Sequence, residues 1–252
     1  MKIITSAQNQ IVKDAFALQQ KKYRDEHGLF VVEGEAPSVD AYSRGWDVDV
    51  VFVLQDYPLH EVIKTKLSDK LVGVTREILQ KISKKDNPQP VITVFKQRYG
   101  QLDRIADTDS VVALEDIRDP GNLGTIMRTA HAVGKPYILL VGQCCDPFSP
   151  EVIRASMGSF SFAHIISMTA DKLLQWKQQQ NRPMIGTNVV NAVDYRQADY
   201  ARSIIVMGNE QKGLSPSLQH ACDQCVKIPM PGGTESLNLS VATALLLYQT
   251  LS

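Results

Sequence analysis

Apolar positions along the chain fall into two alternating patterns, short continuous runs and stretches with helical spacing. In the first hundred residues, Ile11, Val12, Ala15, Phe16 and Leu18 recur at helical spacing behind Ser6, a candidate N-cap. Leu29 to Val32 reads as a strand ending at Gly34, followed by a short helix over 37–43. Strands over 48–54, 71–74 and 91–95 enclose helices over 58–68 and 76–82. This alternation predicts a small, mostly parallel sheet. Residues 96–109 are polar and aperiodic, as an inter-domain linker would be. From Ser110 the alternation resumes. Strands are predicted over 111–114, 137–141, 163–166, 184–190, 203–207 and 226–230. Helices are predicted over 123–133, 150–157, 170–180, 217–221 and 240–251.

The chain has 252 residues, 44% of them hydrophobic, enough for two modest domains. No apolar run is long enough for a bilayer, and Met1-Lys2-Ile3-Ile4-Thr5 lacks the apolar centre of a signal peptide, so a cytoplasmic protein, or the mature form of an organellar one, is expected. Net charge is zero, with 27 basic and 27 acidic residues, a weak footprint for a nucleic-acid partner. Basic clusters stand at Lys21-Lys22-Tyr23-Arg24 and between Lys81 and Lys85, where solvated helix ends are the simpler reading. Cys222 and Cys225 form a C-x-x-C pair. Cys144-Cys145 has poor spacing to complete a zinc site, so packing is the better account. The histidines at 27, 60, 131, 164 and 220 are scattered and form no metal motif.

Candidate chemistry concentrates in three loops, each following a strand-like run. They are Asp119-Pro120-Gly121-Asn122-Leu123-Gly124, leading to Arg128-Thr129-Ala130, then Gly208-Asn209-Glu210-Gln211-Lys212-Gly213, and Glu235-Ser236-Leu237-Asn238 before the last helix. Open α/β sheets bind ligands at such strand ends, which describes one shared site. There is no dinucleotide fingerprint, phosphate loop or nucleophile elbow. Arg128 stands one turn beyond Gly124, where its guanidinium can grip a phosphate or carboxylate, or pair with Asp119 or Glu210. Gly208 and Gly213 permit close backbone approach.

Taken in order, Asp119-Pro120-x-Asn122-x-Gly124-x-x-x-Arg128-Thr129-Ala130, Gly208-x-Glu210-x-x-Gly213, Ile228-Pro229-Met230 and Ser236-Leu237-Asn238 resemble the motif set of the SpoU branch of the SPOUT RNA methyltransferases. Small departures are Leu239, where valine is common, and the Thr234-Glu235 spacer. The resemblance implies an α/β fold in which residues 110–252 form a SPOUT trefoil-knot domain with a mostly parallel sheet. A linker over 99–109 would join it to a smaller α/β domain over 1–98, similar to a ribosomal-protein fold that grips RNA. It implies S-adenosylmethionine as cofactor, held by Thr187, Gly208, Ile228, Met230 and Leu237, and a homodimer. Arg128, Asn122, Glu210, Ser236 and Asn238 would carry 2′-O-methylation of an RNA ribose, ribosomal RNA being favoured. Methylation of transfer RNA, methylation of a small molecule or protein, and a non-catalytic RNA-binding protein keeping the fold are the alternatives.

Overall fold

A computed structural model describes residues 1–187 and 192–251. The chain divides into two compact units, residues 1–98 with 146–162 and residues 99–145 with 163–252. In the first unit β1 (Lys2–Ile4) precedes α1 (Gln10–Ala17) and α2 (Lys21–His27). Then come β2 (Leu29–Glu33), α3 (Glu35–Ser43), β3 (Val48–Leu54), α4 (Glu61–Lys66), β4 (Leu71–Val74), α5 (Arg76–Ser83) and β5 (Val91–Lys96). The sheet order is β1-β4-β3-β5-β2.

Four of these strands share one direction, and β5 alone is reversed, pairing antiparallel with both β3 and β2. The expected parallel bias therefore holds for strand direction but fails for the two pairings that β5 makes. Residues 84–90 return the chain to the end where β3 finishes, and the Leu54 N–H donates to the Pro90 carbonyl at 2.8 Å. The strand β1 and the helix α2 were not anticipated. The cap of α1 is Asn9, whose side chain accepts from the Ile11 N–H, while the Ser6 hydroxyl accepts from Gln8 in the turn before it.

Residues 146–162 lie in sequence inside the stretch read as the second domain, yet they pack in the first unit. Phe148 and Phe160 join Phe30, Trp46 and Phe95 in one aromatic cluster. The indole N–H of Trp46 donates to the Ser161 carbonyl at 3.0 Å. Arg24 is buried and bridges Asp146 at 2.7 Å, so this member of the first basic cluster is spent inside the unit.

In the second unit β6 (Val111–Glu115), α6 (Pro120–Ala132) and β7 (Tyr137–Val141) come first. After the helix α7 (Pro150–Ser156) of the first unit, the chain continues through β8 (His164–Met168), α8 (Ala170–Gln180), β9 (Met184–Thr187) and β10 (Val193–Asp194). It ends with β11 (Ile204–Met207), α9 (Pro216–Ala221), β12 (Gln224–Lys227) and α10 (Leu239–Tyr248). The sheet is parallel throughout, in the order β10-β12-β9-β11-β6-β7-β8. Its strands read as unbroken apolar runs because both faces are covered. Val111, Ala113, Leu139, Val141, Ile204 and Val206 pack on one face with Leu173 and Trp176 of α8.

The polar stretch after residue 98 is not free-standing. Leu102 and Ile105 pack on this core, Gly100 N–H donates to Ile165, and buried Arg182 donates to the carbonyls of Ala106 and Asp109. The predicted strand over 184–190 is seen to Thr187, and residues 188–190 lie outside the described residues. The predicted strand over 226–230 is shifted. β12 ends at Lys227, one residue after the Val226–Thr187 pair that closes its ladder with β9, which leaves Ile228 to Met230 off the sheet.

Candidate active site

The three polar loops converge. Asp119 caps α6 by accepting from the Asn122 N–H at 2.7 Å, with Pro120 in the first turn where no N–H is needed. That cap buries the Asn122 side chain at the start of the helix. Asn238 caps α10, its Oδ1 accepting from the Ser240 N–H at 2.8 Å and from the Ser240 hydroxyl at 2.6 Å. With its oxygen committed, Asn238 turns its Nδ2 to Asn122 Oδ1 at 2.9 Å. The Asn122 amide is thereby oriented, and its Nδ2 donates to Glu210 Oε1 at 3.2 Å. The N–H and hydroxyl of Ser240 at the start of α10 thus set the direction of a hydrogen-bond chain through all three loops.

The middle loop is built for close approach. Asn209 and Gly213 exchange backbone hydrogen bonds of 3.0 and 2.9 Å across a tight turn, and the Asn209 side chain accepts from Gln211 and Lys212. Asn209 Nδ2 also donates to the Asp116 carbonyl at 2.9 Å. Asp116 holds φ at 50°, a left-handed conformation uncommon for a residue with a side chain. A Cβ at Gly208 would lie 2.2 Å from the Gly213 carbonyl carbon and 2.3 Å from the Leu214 nitrogen, so only glycine fits. Buried Glu115, at the end of β6, accepts from the Ser215 N–H at 2.7 Å and fixes the far end of the loop.

Between the second and third loops lies a cavity of about 590 Å³, within the range of small-molecule sites. Thr187, Gly208, Ile228, Met230 and Leu237 all line it, as do Glu210, Ser236 and Asn238. Asn122 stands behind the rim, reached through Asn238 and Glu210. Arg128 is not among the lining residues. It is exposed on α6, six positions beyond Asn122, roughly 9 Å along the axis and about 120° around it. It forms no ion pair with Asp119 or Glu210, leaving its guanidinium uncommitted among the described residues.

Sequence reasoning passed over four contributors. Asn209 and Asp116 hold the middle loop, while Lys227 and Glu235 line the cavity. Asn209 and Glu235 had a visible signal, their places inside the second and third loops; Asp116 and Lys227 had none, because their roles depend on loops distant in sequence. The cavity wall combines the apolar side chains of Met207, Val226 and Leu239 with carboxylates at Glu210 and Glu235 and an ammonium at Lys227. That donor set suits an elongated ligand with an apolar ring, a cationic centre and a carboxylate, and S-adenosylmethionine has those parts.

Cys222 lies behind the cavity, under Gly186, and donates to the Leu218 carbonyl at 3.2 Å. Burial, then the neighbouring Cys225 and Asp223, push its thiol up to about 12. It is a packed thiol and no nucleophile near neutral pH. Among the described residues no group of three histidine, cysteine or carboxylate side chains is placed to hold a metal ion.

Comparison with known proteins gives the same picture. Residues 109–248 match the SpoU rRNA Methylase family, and residues 9–93 match the MRM3-like substrate binding domain. A solved AdoMet-bound rRNA methyltransferase from Sinorhizobium meliloti is 38% identical, with a TM-score of 0.92 over 99% of this chain and 97% of that one. The AviRb SpoU methyltransferase of Streptomyces viridochromogenes, solved with AdoMet, is 25% identical with a TM-score of 0.86, covering 97% of each chain. The 23S rRNA (guanosine(2553)-2'-O)-methyltransferase RlmP of Bacillus subtilis is 27% identical over 98% of both chains.

Proposed function

Since this chain belongs to the SpoU rRNA methylase family, we propose that it methylates a ribose 2′-hydroxyl of RNA, ribosomal RNA being the favoured substrate. The observation that carries the reading is the Asn238–Asn122–Glu210 hydrogen-bond chain at the rim of the cavity. Two relatives solved with AdoMet, and one that acts on a guanosine 2′-O of 23S rRNA, support the donor and the acceptor class.

S-adenosylmethionine supplies, when bound, a methyl group on a sulfonium, already a good electrophile. The chain's own task is to aim the hydroxyl along the methyl–sulfur line and to let its proton leave. Thr187, Gly208, Ile228, Met230 and Leu237 would hold the donor, with Glu210 and Glu235 facing its cationic centre. Asn122, Glu210, Ser236 and Asn238 would keep the loops closed around it. Arg128 cannot be a free base, because a guanidinium keeps its proton. In our reading it binds the phosphate beside the target ribose and polarises the hydroxyl, whose proton leaves through that phosphate or to water. The lack of any carboxylate partner among the described residues leaves it available for that phosphate.

The same reading includes a trefoil knot and a homodimer. The strand order supports the knot, since the path from β10 to β11 crosses β9 and the path from β11 to β12 crosses it again. The helix α10 supports the dimer. It is mostly apolar, and Val241 and Tyr248, with Leu251 just beyond it, are 49%, 54% and 60% exposed. No helix among the described residues is long and apolar enough to cross a membrane, and a cytoplasmic location is part of the proposal.

The test is Arg128→Ala. Calorimetry is expected to give unchanged donor affinity, while transfer of labelled methyl to RNA falls by at least a hundredfold, about 2.7 kcal/mol of transition-state stabilisation. Equal turnover in the variant removes Arg128 from the chemistry. Mapping ribose methylation across total RNA, with and without the protein, identifies the nucleotide.

A further inference from the structure

The first unit carries a charged and aromatic face that its own packing leaves unfinished. Phe16, on α1, is half-buried, with the ammonium groups of Lys81 and Lys84 at 5.8 and 5.4 Å from its ring centroid. Lys81 also donates to the Ala7 carbonyl at 2.8 Å. Neither lysine has a carboxylate partner among the described residues, although other basic groups nearby are neutralised. Lys21 pairs with Asp25, Arg24 with Asp146 and Lys85 with Glu33. The closest carboxylates in sequence are Asp14, which accepts from Gln10, Glu77, one turn before Lys81 on α5 and bonded to Thr75, and Asp86; among the described residues none of them forms an ion pair with either lysine. Lys13 is exposed three positions before Phe16 and so extends the same face of α1.

Lys84 adds an independent observation. It ends α5 with φ at 56°, in the left-handed region where helix termini favour glycine. At the matching position after α2 the chain does use glycine, Gly28 with φ at 63°. Met157 after α7 and Asn181 after α8 make the same left-handed stop without glycine, so what sets Lys84 apart is its cation over an aromatic ring beside a second lysine, neither of them neutralised.

We infer that Phe16, Lys81 and Lys84 form a docking site for a single-stranded segment of RNA, with one base stacked on Phe16 and the flanking phosphates on the two lysines. Stacking on an aromatic ring beside basic side chains is the mode by which unpaired nucleotides are held without sequence preference. The net charge of zero then ceases to be an objection, since the positive charge needed is local. The inference deepens the proposed function, and rests on RNA being the substrate.

The experiment is fluorescence anisotropy of a short unstructured RNA oligonucleotide binding to the full chain over a range of salt. Phe16→Leu keeps an apolar side chain and removes the stack; affinity is expected to fall roughly 5- to 100-fold. Lys84→Gly is expected to weaken binding and to reduce the slope of log affinity against log salt by about 0.7, the value for one phosphate on a single strand. Its melting temperature is expected to hold or rise, because glycine relieves the left-handed strain, and this separates lost binding from lost folding. Wild-type affinity and salt slope in both variants overturn the inference, as does absence of RNA binding by the wild type. Lys84-dependent binding of polyglutamate without Lys84-dependent RNA binding also overturns it, and gives the face to an acidic protein partner. RNA methylation with both variants binding normally rejects the docking site alone. Binding with the stated losses by a protein that transfers no methyl group rejects the proposed reaction alone.

Discussion

Asn122→Asp changes one atom's chemistry and leaves the shape intact. Asn238 must keep its Nδ2 toward residue 122, because its oxygen caps α10. An aspartate can still accept that hydrogen bond but has no donor for Glu210. The 3.2 Å contact between Asn122 Nδ2 and Glu210 Oε1 becomes an approach of two carboxylates. At that separation the repulsion is about 1 kcal/mol in water and about 5 kcal/mol at an effective dielectric of 20. Glu210 is exposed and can swing outward, so the cost falls toward the lower end; the lost charge-assisted bond adds about 1.5 kcal/mol. A net penalty of about 2.5 kcal/mol on closing the loops corresponds to a roughly seventyfold loss of affinity for S-adenosylmethionine. Isothermal titration calorimetry at neutral pH measures it directly. The double variant Asn122→Asp with Glu210→Gln restores a donor facing an acceptor and is expected to recover the loss to the level of Glu210→Gln alone, the reference that allows for the carboxylate removed from the cavity wall. Unchanged affinity in the single variant, or no recovery in the double, refutes the hydrogen-bond chain as the element that holds the loops together.

Other expectations follow from the same geometry. Gly208→Ala drives a methyl group into the Gly213–Leu214 backbone, so the cavity is expected to collapse with a stability loss of about 3 kcal/mol, read by thermal melting, and with no detectable donor binding. Asp223 is raised by burial, but the Met184 N–H and the Lys177 ammonium outweigh that and hold its carboxyl below the ordinary value. A folded-state value below the unfolded one adds stability above the unfolded value, and that stability is lost as pH falls through the folded one. Asp223→Asn is therefore expected to be less stable than wild type at neutral pH and to show a smaller acid-induced drop in melting temperature. Parallel curves would contradict this. Cys222, its thiol pushed up to about 12, is expected to react with iodoacetamide at neutral pH far more slowly than an ordinary exposed thiol, as peptide mapping would report.

Which parts of this molecule were legible in the sequence depends on how far the deciding contact lies along the chain. Strands such as Val48–Leu54 and Tyr137–Val141 were visible because a buried strand needs a continuous apolar run, and Ala170–Gln180 because one face of a helix must repeat. The polar loops were visible because glycine, proline and asparagine are local instructions to the backbone. The cap of α1 went to Asn9 through a contact two residues away, a choice that composition alone does not make between Ser6 and Asn9. The reversal of β5 was hidden, since the direction of a strand is set by where its connection returns rather than by its own residues. The packing of 146–162 with the first unit was hidden as well, because Phe148, Phe160 and Asp146 find partners more than sixty residues upstream. At the site, the sequence supplied Asn122, Glu210 and Asn238 as separate polar residues on separate loops. Only the fold determined that one accepts from the next across 116 and 88 positions, and that a cavity lies beside them. Residue types carry the local chemistry; distance and direction between loops come from the packing of the sheet and helices that support them.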